Sequence, residues 1–226
     1  MRIFFAGFRA MLPITTGVIP FGAVMGTVCS EAQLSFFQTV TMNFMVFAGA
    51  SQLAAVDLMV KHAESFVVLA TGLIINLRFM LYSAAISPIV QYSPYLVKLT
   101  SAYCLTDQNY AVLTAHSDKL KSNRETIIFY FGTSLCMILA WQLAVMGGYI
   151  FGNFAPSTWA LEYAVPLSFV ALTIPTIRNR KYFAVVLFSS LLSLTLSVMP
   201  YNLGLITTAL TSIALGAFLT RQRTAA

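Results

Sequence analysis

Residues 65–88, SFVVLATGLIINLRFMLYSAAISP, form an almost wholly apolar run with one charge, Arg78, at its middle. A helix needs about 20 apolar residues to cross the hydrocarbon core of a bilayer. The run is long enough, and it reads as a membrane-spanning helix. A charge at the centre of a bilayer costs from about 3 kcal/mol on insertion scales to far more in simulations, so Arg78 is expected to face a partner or a wet cavity. Asp107 occupies the same depth of the next apolar run. Two opposite charges at one depth are each other's natural partners, and they put a polar centre inside a bundle of helices.

Composition carries the same reading to the whole chain. With 58% hydrophobic and 9% charged residues there is too little polar material to cover a water-soluble fold. The expected fold is all-α, a polytopic integral membrane protein forming one transmembrane domain over residues 1–226. Lipid offers backbone groups no hydrogen bonds, so irregular segments must be buried among the helices. Eight candidate spans emerge: Ala10–Cys29, Leu34–Met59, Ser65–Val90, Tyr95–Ala115, Thr126–Phe151, Trp159–Ile177, Tyr182–Met199 and Leu203–Thr220. Of the 13 Lys and Arg residues, Arg78 lies within a span. If the N-terminus is cytoplasmic, Lys98 alone falls outside, while Arg2, Arg9, Lys61, Lys119, Lys121, Arg124, Arg178, Arg180, Lys181, Arg221 and Arg223 fall inside. That positive-inside bias fixes a cytoplasmic N-terminus and an even number of crossings.

The fourth span is diluted by Thr100, Ser101, Thr106, Asp107, Gln108 and Asn109. Parity retains it, because without it Lys119, Lys121 and Arg124 would lie opposite the Arg178 cluster. The net charge of +6 is then the topology signal, with anionic lipid headgroups as its neighbours, and nothing in it points to nucleic acid. Arg2 and Arg9 precede an apolar stretch as in a secretory signal, but no A-x-A-like cleavage site follows, so an uncleaved first span is expected. Cys29, Cys104 and Cys136 lie in or at the edge of apolar runs and read as small core residues, without a disulfide framework or metal spacing.

The first span contains LPITTGVIPFGAVMG, residues 12–26, with Pro20 near its midpoint. Proline removes one helical hydrogen bond and clashes with the preceding turn, and the glycines let the backbone leave helical geometry. A broken first helix, kinked or unwound over Val18–Gly22, is expected. Such breaks aim half-helix N-termini at anionic groups, which makes Pro20 and Gly22 candidate substrate-binding positions. For an isolated Pro-Gly helix, a plain kink with glycines serving close packing is the simpler account.

The second span carries Thr39, Asn43 and the small-residue run Ala48–Ser51 followed by Gln52. A mid-membrane amide needs a hydrogen bond, and Gln52 serves equally well as interhelical glue or as a ligand. Asp57 and Lys61, four residues apart, read as an interfacial ion pair. Arg78 and Tyr82 share a stripe of the third helix, with Asn76 on a different face. Tyr103, Asp107 and Tyr110 share a stripe of the fourth. A structural Arg78–Asp107 bridge is the plain account, and the sharper one makes Asp107 a titrating carboxylate whose link to Arg78 loosens as substrate moves. Glu162, about one turn inside the sixth span, reads as solvated at the outer interface; Pro166 and Pro175 are expected to kink that helix, and Pro200 with Asn202 to make a tight turn.

Four strings, LPITTGVIPFG at Leu12–Gly22, FAGASQ at Phe47–Gln52, NLRFMLYSAAISP at Asn76–Pro88 and TDQNYA at Thr106–Ala111, resemble the AzlC-type family in sequence and in order. That family comprises the large subunits of bacterial branched-chain amino acid exporters, and the resemblance runs over essentially the whole chain. It implies a multi-pass protein of the bacterial inner membrane that exports leucine, isoleucine, valine or similar amino acids with a small AzlD-type membrane subunit. One departure stands out: Gln108 follows Asp107 where the family often has Glu, which places any coupling role on Asp107 alone or on other groups.

The leading expectation is therefore a secondary transporter. Arg78 or the broken first helix would hold the substrate carboxylate, and groups around Gln52 and Asp107 its ammonium. Ile, Leu, Val or Met side chains would take its apolar tail. Pro20, Gly22, Ser51, Gln52, Asn76, Arg78 and Tyr82 form the candidate substrate-binding set, and Arg78 with Asp107 the candidate coupling pair. No Gly-rich phosphate loop with Lys and no H-E-x-x-H motif is present. The only histidines, His62 and His116, read as solvated loop residues, so neither an enzyme nor a metal or other cofactor is expected. A non-catalytic channel or assembly subunit, or a transporter of another small zwitterionic solute, stays open as the alternative.

Overall fold

The computed structural model describes residues 1–151, 170, 177, 179–199 and 203–221. It divides into two compact units, Met1–Phe169 and Val170–Ala226. Among the described residues all regular structure is helical. The sixth candidate span, with Glu162, Pro166 and Pro175, lies outside them apart from Val170 and Ile177, as does the turn at Pro200 and Asn202.

In the first unit two long helices, α1 (Arg2–Glu31) and α8 (Asn123–Phe151), are each apolar and long enough to cross a bilayer. Between them the chain makes three half-helix pairs: α2 (Phe36–Met45) with α3 (Gly49–Val60), α4 (Ser65–Asn76) with α5 (Arg78–Val90), and α6 (Tyr95–Tyr103) with α7 (Asp107–His116). Loops of four residues join α1 to α2, α3 to α4 and α5 to α6. Two of them pass through left-handed backbone, at Gln33 and His62. Ser35 opens α2 with a capping box, its hydroxyl accepting from the Gln38 amide while the Gln38 side chain accepts from the Ser35 amide.

The first helix is not unwound. α1 runs unbroken through Pro13 and Pro20, against the expectation of a break over Val18–Gly22. The cause is its partner. A Cβ on Gly7 would lie 2.1 Å from the Phe129 carbonyl oxygen, and one on Gly26 would lie 2.0 Å from that of Val145. Reciprocally, a Cβ on Gly132 or Gly148 would lie 2.0 Å from the carbonyl oxygen of Phe4 or Ala23. The two backbones touch directly near both ends of the pair. An interior proline costs about 3 kcal/mol, and a long seam of contacts at about 0.1–0.2 kcal/mol each offsets it. Because Gly7 meets Phe129 and Gly26 meets Val145, α1 and α8 run parallel.

The breaks lie instead in the next three segments: residues 46–48, residues 104–106, and a 41° bend between Asn76 and Arg78. Neighbouring side chains take up the backbone groups freed there. The Phe44 carbonyl accepts from the Tyr103 hydroxyl at 2.6 Å; the Ala48 carbonyl, already bound by the Gln52 amide, also accepts from Ser51 Oγ at 2.9 Å. At the second break Thr106 is extended and its hydroxyl accepts from the Asn109 amide at 3.2 Å. Asn109 Nδ2 donates to the Cys104 carbonyl at 2.6 Å, and the Tyr130 hydroxyl to that of Ser101 at 2.8 Å. At residues 104–106 the irregular backbone is buried, as a lipid environment favours; at residues 46–48 Phe47 and Ala48 are buried and Val46 is exposed. The outward stripe of α4 and α5 is apolar, with Phe66, Leu69, Leu73 and Met80 all exposed. Such a surface suits lipid and not water.

The second unit is a hairpin of α9 (Arg180–Leu196) and α10 (Leu203–Arg221). Asn179 caps α9 by accepting from the Lys181 and Tyr182 amides. The ends of the hairpin meet in antiparallel sense, Gly204 beside Leu196 and Gly216 beside Val185.

Candidate functional site

Three helices begin around one cavity. Gly49 and Ala50 start α3, Arg78 and Phe79 start α5, and Asp107 and Gln108 start α7. These residues line a cavity of about 30 Å³ together with Phe21, Phe47, Ala48, Thr106, Met137 and Trp141. The first amides of a helix have no intrahelical acceptor and carry partial positive charge, so a cluster of such starts favours a negative group. α3 has no side-chain cap, since Ala48 precedes it. The lining divides by chemistry: Arg78, Thr106, Asp107 and Gln108 are polar, and Phe21, Phe47, Met137 and Trp141 are apolar.

The two opposite charges meet as their residue types require. Arg78 Nη1 lies 2.9 Å from Asp107 Oδ2, and the Tyr82 hydroxyl donates to Asp107 Oδ1 at 2.9 Å. Both carboxylate oxygens are engaged by residues one helical turn apart on α5. The Arg78 and Asp107 side chains line the cavity and keep 25% and 18% exposure, so the pair is not sealed in packing. Tyr82 stacks on Tyr110 at 4.7 Å, and the Arg78 guanidinium lies 5.2 Å from the Phe79 ring. The fourth-span stripe, by contrast, is cut. α6 ends at Tyr103 before α7 begins at Asp107, and Tyr103 turns to the Phe44 carbonyl and stacks on Phe47 at 6.0 Å.

Behind the cavity lies a buried amide network that sequence reasoning did not assemble. Asn43 Oδ1 accepts from Trp141 Nε1 at 2.6 Å and from Gln52 Nε2 at 3.3 Å, and Asn43 Nδ2 donates to Gln142 Oε1. Asn76 Nδ2 donates to Ser51 Oγ at 3.1 Å. Ser51, Gln52 and Asn76 are thus engaged in bonds between elements, whereas Arg78 and Asp107 line the cavity itself. α1 contributes Phe21 to the wall; Pro20 lies inside the helix, and Gly22 faces Ala144, whose Cβ would be 2.7 Å from an added methyl. Asn43, Trp141 and Gln142 were visible only as polar residues in apolar helices, a signal that does not name their partners.

Outside the cavity, Asp57 and Lys61 form an exposed pair at 2.8 Å, and Cys29, Cys104 and Cys136 are free and buried. His62 is exposed, but His116 is not a solvated loop residue. It ends α7, with Nδ1 2.9 Å from the Val112 carbonyl and its ring 5.3 Å from Phe129, because it completes the packing of α7 on α8. Among the described residues no group of three or more His, Cys, Asp or Glu could hold a metal ion.

Comparison with known proteins locates this arrangement. Residues 13–155 match the family described as AzlC protein. An uncharacterized membrane protein of Archaeoglobus fulgidus is 26% identical over 187 residues, 79% of this chain and 78% of its own length. One from Helicobacter pylori strain J99 is 26% identical over 179 residues, 76% of this chain and 75% of its own. The branched-chain amino acid transport protein AzlC of Bacillus subtilis is 24% identical over 198 residues, 86% of this chain and 74% of its own. No solved structure matches the chain. The family match covers well over half of the sequence and takes in every residue that lines the cavity. With its apolar helices and lipid-suited surface, this chain is a membrane protein belonging to the AzlC family.

Proposed function

We propose that the chain is a secondary transporter that exports branched-chain or other small hydrophobic amino acids across the bacterial inner membrane. The observation that carries this is the meeting of three helix starts and the Arg78–Asp107 pair at one cavity that Phe21, Phe47, Met137 and Trp141 also line. An amino acid has the same division: two charged ends and, here, an apolar side chain. The uncapped start of α3 and the Arg78 guanidinium suit its carboxylate, Asp107 suits its ammonium, and the Phe21–Trp141 side suits its tail. The name of the Bacillus subtilis relative points to the same substrate class.

A cavity of about 30 Å³ admits a water or two, so loading an amino acid requires the helix joints to part. The interruptions at residues 46–48 and 104–106, held by side-chain bonds from Tyr103, Ser51, Thr106 and Asn109, are the joints for such motion. The carrier works with a small AzlD-type membrane subunit, a partner implied by the family resemblance and accommodated by the wide apolar surface.

Counterflow in proteoliposomes holding the chain with its small subunit tests this. Vesicles preloaded with unlabelled leucine should transiently accumulate labelled leucine above equilibrium, as exchange by a carrier requires. Passive equilibration without overshoot would indicate a channel, and no uptake at all would remove the transport reading. Omitting the small subunit should abolish counterflow; full activity of the chain alone would remove the partner.

A further inference from the structure

We infer that Trp141, held by Asn43 and seated against Gly49, sets the largest side chain the cavity accepts, an inference that rests on the transport reading above. The indole is fixed by two contacts and by burial. Its Nε1–H donates to Asn43 Oδ1 at 2.6 Å, its ring packs edge-on to Phe21 at 5.2 Å, and it is 3% exposed. Asn43 is itself 1% exposed and bound to Gln52 and Gln142, so it acts as a positioning residue for the indole. The far edge of the ring occupies the space a side chain at residue 49 would need: a Cβ there would lie 2.5 Å from Trp141 Cη2 and 3.2 Å from Phe21 Cζ.

Gly49 and Trp141 line the same cavity as the Arg78–Asp107 pair. A substrate anchored by its charged ends at that pair projects its side chain toward the indole. Once the joints part to admit it, a rigid, hydrogen-bonded ring bounds that side chain where a flexible methionine would yield. One methylene in an apolar pocket is worth roughly 10- to 200-fold in discrimination, so small displacements of this ring should reorder substrates.

The test is export from cells expressing the full chain and its small subunit, loaded with alanine, leucine or phenylalanine as dipeptides, at equal membrane protein level. Gly49→Ala crowds the indole edge at the cavity and should lower the leucine-to-alanine export ratio about tenfold. Trp141→Phe shortens the wall and should raise the phenylalanine-to-leucine ratio by a similar factor. Should Trp141→Phe fail to accumulate, Met137→Ala on the same cavity serves as the enlarging variant, with the same expected direction. Ratios unchanged from wild type in variants that accumulate would overturn the role of Trp141 while leaving transport intact. Wild-type cells that export none of the three amino acids would overturn the transport reading and this inference with it.

Discussion

At Asp107 both carboxylate oxygens are occupied, one by Arg78 and one by Tyr82. Removing one member of a buried ion pair strands the other, at a typical cost of about 3–5 kcal/mol, and the partial exposure here sets the low end. Arg78→Ala or Asp107→Ala alone should therefore reduce the folded protein recovered from membranes, and the double change should partly restore it. Tyr82→Phe deletes one bond to a charged acceptor, worth about 1.5–3 kcal/mol, while keeping a ring to stack on Tyr110. It should lower the melting temperature in detergent less than either charge deletion does. Asn43→Ala should be the most damaging polar change, because it strands the Trp141 indole N–H and two buried amides at about 1–3 kcal/mol each. The ion pair was legible in the sequence because each charge alone was untenable at that depth. The Asn43 network was not, because an amide finds partners in many registers and only the packing of α2 on α8 selects Trp141 and Gln142.

Among the helices, the seam between α1 and α8 yields a sharp contrast of neighbours. A methyl on Gly148 would sit 2.0 Å from the Ala23 carbonyl oxygen, and backbone cannot move aside as a side chain can. A methyl on Gly147 meets nothing within 4 Å. Gly148→Ala should cost about 1–3 kcal/mol or more through overpacking, whereas Gly147→Ala should be neutral or stabilising by up to about 1 kcal/mol through helix propensity. Equal melting temperatures for the two variants would contradict the seam. Helix ends were largely legible: the run starting at Ser65 ends at Val90 as read, and α8 begins three residues before Thr126. The location of the breaks was not. Proline and glycine at residues 13–26 signalled a break that α8 suppresses. The actual joints rest on side chains from other elements, Tyr103 and Asn109 among them, which no local pattern displays.

Over the whole molecule, the parallel run of α1 and α8 bears on topology. Two parallel membrane-spanning helices need an odd number of crossings between them, and three segments lie there: α2–α3, α4–α5 and α6–α7. With the positive-inside bias, reporter fusions after residues 93 and 122 should read outside and inside. The same side for both would mean that α6–α7 does not cross. Whether the Arg78–Asp107 cavity moves a zwitterionic amino acid is decided by leucine export from cells carrying the Arg78→Ala/Asp107→Ala double variant with the small subunit, compared with wild type at equal membrane protein level. Wild type should export leucine, and the double variant should accumulate in the membrane but export none. Export at the wild-type rate by the double variant would contradict this and leave the pair only a packing role.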